Sequence, residues 1–126
     1  MQRQTSQRVA IEHTLTEAGR PLGPQEIFDR AREQVPSLNL ATVYRTVKRM
    51  VEEEAIAPVE LPGEPPRYEL QSVADHHHHH FHCRQCNAVY DLNHGCVKGL
   101  ASLLPKGFRM TGHDIVLYGI CESCEK

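Results

Sequence analysis

The sequence predicts an α+β protein in which an N-terminal winged helix precedes a small α/β domain stapled by zinc. Three amphipathic helical patterns fill the first part, a strand-like pair flanks a proline-rich turn, and two Cys-x-x-Cys pairs lie in the second part. At 126 residues the chain can form one ordinary domain or two small ones, and small domains often need a staple. We predict domains over residues 1–74 and 75–126.

Two short helices begin the first domain. The first is predicted over residues 5–18, because Thr5 can cap its start and Gly19 can end it. The second begins at Pro24, a residue favoured in the first helical turn, and continues until Pro36.

The third helix is predicted over residues 38–54, with Asn39 as its cap. Its apolar face consists of Leu40, Val43, Val47, Met50 and Val51. Its other face carries hydrogen-bonding and cationic side chains: Thr42, Tyr44, Arg45, Lys48 and Arg49. Such a cluster is typical of a helix that reads base edges in the major groove. Every surface helix has a polar face, so this helix alone leaves both interpretations open.

The segment IAPVELPGEPPRYEL predicts two short strands around a turn at residues 62–66. Three helices followed by a hairpin make a winged helix, and this architecture favours the DNA-binding interpretation. The total charge of −2 excludes a uniformly basic nucleic-acid binder, but the net charge is +3 over residues 1–50, −6 over 51–75 and +1 over 76–126. We predict phosphate contacts from Arg8, Lys48 and Arg49.

Four of the five cysteines form two Cys-x-x-Cys pairs, Cys83/Cys86 and Cys121/Cys124. Together the pairs offer four thiolates to one tetrahedral zinc ion. One pair alone could be a redox centre, but two pairs in a small chain favour structural zinc. The intervening segment is too long for a simple zinc ribbon loop, so we predict strands at 89–92 and 115–120 and a helix at 97–104.

Residues 75–86 read DHHHHHFHCRQC, and this internal position argues against an affinity tag. If residues 76–82 form a strand, alternate side chains lie on opposite faces: His78, His80 and His82 on one, His77 and His79 on the other. One run can therefore serve two metal sites. We expect coordination by residues 77–80, and solvated imidazoles at His76 and His82.

No run of about 18 apolar residues occurs, and the N-terminus lacks the apolar core of a signal peptide. We therefore expect a cytoplasmic protein without membrane contact. Its cysteines are expected as thiols or thiolates, because disulfides are rare in that compartment.

Taken together, these segments resemble the ferric uptake regulator family of bacterial metal-dependent repressors over essentially the whole chain. The matching segments are SQR (6–8), PQEIF (24–28), LATVYRT (40–46), RYEL (67–70), the histidine run with its Cys-x-x-Cys, GH (112–113) and LYG (117–119). The resemblance implies a winged-helix DNA-binding domain followed by a dimerisation and metal-binding domain. It also implies a homodimer on an AT-rich palindromic double-stranded DNA operator, contacted by Tyr44 and Arg45.

The resemblance further implies ligands for regulatory metal. The regulatory site would consist of Glu69, His78, His80 and Asp91. A second site would consist of His77, His79, Cys96 and His113. Because the wing supplies Glu69 and the next domain the other ligands, one regulatory ion would fix the angle between the domains.

Two departures from the family pattern favour zinc as the sensed metal. Residues 20–23 lack the histidine that iron and peroxide sensors usually place before the second helix. Cys96 stands where the second site usually has a glutamate, and a thiolate raises the preference for zinc. Cys96 can equally be read as a small half-buried apolar residue. Fe(II), Mn and Ni remain alternatives to zinc.

Two other classes of protein are weighed against the repressor. A zinc hydrolase needs an open metal position beside a general base, for which Glu69 or Asp91 could serve. It would leave the basic helix unexplained, and no substrate-binding loops are evident. A metal storage or chaperone module would use the histidines and Cys96 without DNA. We predict a metal-dependent repressor with neither enzymatic activity nor a small organic substrate.

Overall fold

The computed structural model describes residues 2–75, 79–92 and 98–125, with side chains from Ser6 onward. It contains two compact units, Met1–His76 and His77–Lys126. None of the helices in these described ranges combines the length and hydropathy needed to cross a membrane.

The first unit has the helices and the hairpin of a winged helix. Its elements are α1 (Gln2–Ala18), α2 (Pro24–Ala31), α3 (Leu40–Glu52), β1 (Ile56–Val59), β2 (Arg67–Leu70) and the short α4 (Gln71–Ala74). Strands β1 and β2 pair antiparallel, with Ile56 opposite Leu70. Leu22 adds a bridge to Tyr68 on β2, with backbone N···O distances of 3.0 and 2.8 Å. The segment between α1 and α2 is thereby tied to the wing.

The helix ends follow local chemistry. Gly19 has a φ of 63°, a left-handed conformation that suits glycine, and α1 ends just before it. The Asn39 side chain accepts a hydrogen bond from the Thr42 amide at 2.9 Å, which caps α3 as predicted. Helix α2 ends at Ala31, earlier than predicted, because the chain turns before Pro36.

Apolar residues of α1, α2, α3 and β1, together with two leucines of the connecting segments, form the core of the first unit. Its buried members are Ala10, Ile11, Leu15, Leu22, Ile27, Ala31, Leu38, Val43, Val47, Met50 and Ile56. The apolar face predicted for α3 is therefore the buried one at Val43, Val47 and Met50. Burial of this stripe leaves the opposite face of α3 exposed to solvent.

The second unit is a three-stranded sheet with short helical segments. Its elements are β3 (His79–Cys83), β4 (Val89–Leu92), a 3₁₀ turn (Leu100–Leu103), β5 (Val116–Gly119) and α5 (Glu122–Glu125). Strand β3 is central, antiparallel to β4 and parallel to β5. The predicted strands are present, whereas the helix predicted over 97–104 is, within the described residues, only a single 3₁₀ turn.

Candidate metal centres and nucleic-acid interface

The two Cys-x-x-Cys pairs meet at one end of the second unit. Strand β3 ends at Cys83, and β5 leads into Cys121 through Gly119, which lies opposite Cys83 in the parallel register. Each Cys-x-x-Cys segment is a hook, the first with Cys83 and Cys86 and the second with Cys121 and Cys124. Asn87 has a φ of 67°, and its amide donates to the Cys83 carbonyl at 3.0 Å, which closes the turn of the first hook. Because β3 and β5 run parallel, both hooks lie at the same end of the sheet.

The four sulfur atoms have the spacing of a tetrahedral zinc site. The Sγ atoms of Cys83 and Cys124 lie 3.8 Å apart, as do those of Cys86 and Cys121, and all four lie within 4.8 Å of one another. Zn–S bonds of about 2.3 Å give a tetrahedron with edges of about 3.8 Å. A disulfide would need an S–S distance of about 2.05 Å, and all four of these cysteines are free of disulfides. The cluster fits a structural zinc ion.

Hydrogen bonds from backbone amides favour the thiolate form of one of these cysteines. The amides of Cys86 and Cys121 each lie 3.4 Å from Cys83 Sγ, and these hydrogen bonds, led by that of Cys86, lower the Cys83 pKa to about 6. The Cys124 amide likewise lowers the pKa of Cys121. Burial raises the pKa of Cys124 to about 12. Cys83 is therefore a thiolate at neutral pH, whereas Cys124 must lose a proton to become a ligand.

Two predicted regulatory ligands lie together on β3 and β4. His80 and Asp91 are opposite each other in the register, and His80 Nε2 is 3.1 Å from Asp91 Oδ1. Both side chains are mostly shielded from solvent. His78 lies outside the described residues, and Glu69 lies on β2 of the first unit, opposite Ala57. Their membership in the site remains a prediction.

Half of the predicted second site is also assembled. The rings of His79 and His113 lie with centroids 5.0 Å apart, and His79 is 5% exposed. His77 and Cys96 lie outside the described residues. His79 and His80 thus approach different partners, as strand alternation predicts for two sites on one run.

The expectation of a solvated His82 is wrong. Its side chain is buried at 5% exposure, its Nε2 contacts Asn87 Oδ1, and its ring lies 5.8 Å from that of Tyr118. Because β3 is the central strand, His82 has a cross-strand neighbour on each side, Val89 of β4 and Tyr118 of β5. His76, expected to behave like His82, lies outside the described residues.

Arg84, which lies between Cys83 and Cys86 and was not singled out in the sequence, packs on the sheet. Its guanidinium carbon lies 4.0 Å from the centroid of the Tyr118 ring, a cation–π contact. Its amide donates to the Gly119 carbonyl at 2.7 Å. These contacts tie the first hook to the strand that precedes the second. The signal available in the sequence was the LYG segment, which places Tyr118 three residues before Cys121.

Helix α3 presents the predicted DNA-binding side chains to solvent. Tyr44 is 54% exposed, and Arg45, Lys48 and Arg49 are exposed as well. Arg45 Nη2 donates to Thr42 Oγ1 at 3.2 Å, so the guanidinium is held along its own helix. Within the described ranges, none of these three cations forms an ion pair.

Arg8, the other predicted phosphate contact, has a different environment. It is ion-paired with Glu53, at the end of α3, and lies 3.7 Å from Glu12 on its own helix. Two carboxylates therefore already compensate its charge.

The ferric uptake regulator family model matches residues 2–118. The chain belongs to this family. It is 30% identical over 124 residues to the ferric uptake regulation protein of Campylobacter jejuni, covering 95% of this chain and 78% of that protein. The iron-containing ferric uptake regulator of Francisella tularensis superposes with a TM-score of 0.70 at 25% identity, covering 95% of this chain and 92% of that one. A zinc-bound manganese uptake regulator superposes with a TM-score of 0.74 at 26% identity, covering 91% and 87%.

Membership in the ferric uptake regulator family confirms the predicted fold class and the predicted function as a metal-responsive regulator. A structural zinc ion is consistent with the four-cysteine geometry. The similar proteins include regulators of iron and of manganese uptake, so the choice of sensed metal remains a prediction.

Proposed function

We propose that this family member is a homodimeric repressor that binds operator DNA when its regulatory site holds a divalent cation, preferably zinc. The observation that carries the proposal is the His80–Asp91 pair, a nitrogen and oxygen donor set on the same sheet as the all-sulfur cluster. His80 and Cys83 are three residues apart on β3, which separates the two sites by about 10 Å along the strand. One sheet can thus hold a structural site and a sensing site.

The two donor sets suit these different roles. Four thiolates bind zinc strongly and retain it, whereas a mixed imidazole and carboxylate set accepts several divalent cations and can exchange them. A bound cation would supply positive charge that lets neutral imidazoles and carboxylates converge. We assign Glu69 and His78 as the remaining ligands. If the cation binds the DNA-competent arrangement a hundredfold more tightly than the other arrangement, it supplies about 2.7 kcal/mol of coupling free energy.

The preference for zinc is supported by the chain's own ligand types. The segment before α2 offers no histidine, and Cys96 offers a thiolate to the second site. Fe(II), Mn and Ni are the alternatives that the experiment below separates.

Exposure of the polar face of α3 supports the DNA-binding part of the proposal. The face with Tyr44 and Arg45 is available to the major groove, while the opposite face is fixed in the core. We assign base contacts to Thr42, Tyr44 and Arg45, and backbone contacts to Lys48 and Arg49.

Exposed apolar side chains support the homodimer. Leu117 and Tyr118 on β5 are 53% and 42% exposed, and Leu103 and Phe108 are 79% and 67% exposed. Strand β5 is an edge of the sheet in the described part of the chain. An exposed apolar edge strand invites pairing with another chain, and a two-fold dimer matches a palindromic operator.

The test begins with metal-free purification, metal quantification and selection of an operator from random duplexes by the loaded protein. Zn, Fe(II), Mn and Ni are then titrated while operator binding is followed. We expect zinc to activate at the lowest free concentration. Activation by Fe(II) at a much lower concentration would contradict the zinc assignment, and no metal dependence of DNA binding would contradict the proposed function.

The regulatory site is tested with His80→Ala, using His79→Ala as the matched control from the other face of β3. We expect His80→Ala to keep one tightly held zinc per chain but to lose metal-activated operator binding. Full activation of His80→Ala together with loss in His79→Ala would place sensing at the second site instead.

A further inference from the structure

His82 is a buried polar residue that neither the proposed regulatory sites nor the proposed DNA interface uses. It lies on β3 directly before the hook cysteine Cys83, and only 5% of its surface is exposed. Within the described residues, the side chains that meet at the zinc cluster are the four cysteines, and His82 is not among them. Buried polar side chains in folded proteins have hydrogen-bond partners. The partners of His82 therefore show what this residue holds in place.

One partner is Asn87, in the turn of the first hook. His82 Nε2 contacts Asn87 Oδ1, and because an amide oxygen only accepts, the ring donates through a proton on Nε2. Asn87 has a φ of 67°, in the left-handed region that asparagine tolerates better than most residues. A glycine would adopt this conformation more easily, but it offers no oxygen to the histidine. Asparagine meets both requirements.

The turn that contains Asn87 sets the position of two zinc ligands. The Asn87 amide donates to the Cys83 carbonyl, and the Cys83 amide donates to the Ala88 carbonyl at 2.9 Å, so the two ends of the hook are joined. Between these ends, the Cys86 amide lies 3.4 Å from Cys83 Sγ. A rotation of the backbone at Asn87 would break this turn and move Cys86 relative to Cys83. The contact with His82 holds the Asn87 side chain and opposes that rotation.

The other partner is the ring of Tyr118 on β5. Tyr118 lies opposite His82 in the parallel register, and the two ring planes are tilted by 49° at a centroid distance of 5.8 Å, within the range of an aromatic pair. Tyr118 is also the residue that Arg84 of the first hook covers. His82 therefore contacts both the turn of the first hook and the strand that leads into the second.

We propose that His82 is a positioning residue for the structural zinc ion. It holds the first hook through Asn87 and keeps that hook beside β5, so that the four thiolates stay close together and retain the metal. Loss of such supporting contacts around a metal site typically weakens metal binding about 10- to 100-fold. The inference rests on the four-cysteine zinc site and is independent of the proposed DNA-binding function.

The test measures the affinity for the most tightly bound zinc by competition with a chelator, for the full chain and its variants at one pH. His82→Phe keeps an aromatic ring beside Tyr118 but cannot donate to Asn87, and we expect it to bind zinc about 10- to 100-fold more weakly. His82→Gln should restore most of this loss, because its amide extends to the position of Nε2 and donates. Ser123→Ala, an exposed substitution inside the second hook, is the control and should match the wild type.

Asn87→Gly tests the same contact from its other side. It keeps the left-handed backbone without strain and removes the accepting oxygen, so we expect the same weakening as in His82→Phe. The double variant should be no weaker than either single variant, because both remove one contact. Unchanged zinc affinity in Asn87→Gly would overturn the proposal even if His82→Phe failed to fold. Additive losses, or no restoration by His82→Gln, would also overturn it, because His82 would then only fill space.

Substitution of Co(II) for zinc shows whether the ligands themselves change. The ligand-field and thiolate charge-transfer bands should be the same in His82→Phe and in the wild type, since His82 supplies no ligand. A changed spectrum would overturn the positioning role, because His82 would then take part in coordination. A wild type that holds no tightly bound zinc would overturn the four-cysteine site itself, whatever its behaviour on DNA.

Discussion

Cys83 and Cys124 belong to the same cluster, yet their surroundings shift their proton affinities in opposite directions. Two backbone amides hold the pKa of Cys83 near 6, whereas burial raises that of Cys124 to about 12. An unfolded cysteine has a pKa of about 8.5. In the metal-free folded unit, the lowered pKa of Cys83 therefore stabilises the fold fully at pH values above about 8.5. This contribution is lost as pH falls through 6. The raised pKa of Cys124 acts oppositely, stabilising the fold below about 8.5 until pH rises through 12.

These pKa values predict a pH dependence of zinc affinity. Cys124 must release a proton throughout the neutral range, so apparent affinity should rise at least about tenfold per pH unit between 6.5 and 8.5. Below pH 6 the dependence should steepen, because Cys83 then also binds a proton. Competition with a chelator at several pH values measures this, with free chelator protonation corrected. A flat profile would contradict the protonated state of Cys124.

Arg45 is the second residue with a specific prediction. Its guanidinium is held by Thr42, so a base contact would cost little additional ordering. Arg45→Ala should weaken operator binding by about 1–3 kcal/mol while random duplex binding changes less. Titration of both duplexes at one salt concentration measures the difference. Equal losses would show that Arg45 contacts phosphate and reads no base.

At the level of elements, the parallel pairing of β3 and β5 determines where the cysteine hooks meet. Gly119 lies at this junction, and a Cβ there would meet the Phe81 ring at 3.2 Å, closer than ordinary packing. Gly119→Ala should therefore force a shift of the ring or the strand, and overpacking of this kind costs about 1–3 kcal/mol. We expect lower thermal stability and faster zinc loss to a chelator.

A double variant isolates the cause of this effect. Gly119→Ala combined with Phe81→Leu should recover part of the lost stability, because the smaller side chain gives the new methyl group room. Gly112→Ala is the control, since a Cβ at Gly112 meets no atom within 4 Å. Additive losses in the double variant would mean that the ring contact is not responsible.

Elements with a strong local signal were predictable from the sequence. The buried stripe of α3, its Asn39 cap and both hooks depend on spacings of a few residues, which the sequence displays directly. The burial of His82 depends on β5 pairing with β3 from more than 30 residues away. The ion pair of Arg8 with Glu53 likewise joins residues 45 apart. Local periodicity carries no information about such partners.

For the whole molecule, the clearest expectation concerns loss of the four-cysteine site. Assembly of four thiolates from two distant hooks couples metal binding to folding, with a contribution on the order of 10 kcal/mol. Cys121→Ser should unfold the second unit and yield a monomer, while α1 to α3 keep their helical signal. Circular dichroism, zinc content and sedimentation measure these properties. A folded, dimeric and zinc-replete variant would contradict the structural role, and Ser123→Ala is the matched control beside the cluster.

The buried apolar cluster of the described residues lies entirely in the first unit, between Ala10 and Ile56. In the second unit, the buried apolar residues described are only Cys83, Ala88, Val89 and Cys121, two of which are candidate zinc ligands. A segment with so little apolar burial is accessible to proteases when its metal is withdrawn. Withdrawal of the structural zinc should therefore shorten the lifetime of the folded protein. Metal supply would then control how much of the protein is present, in addition to the state of the molecules that remain.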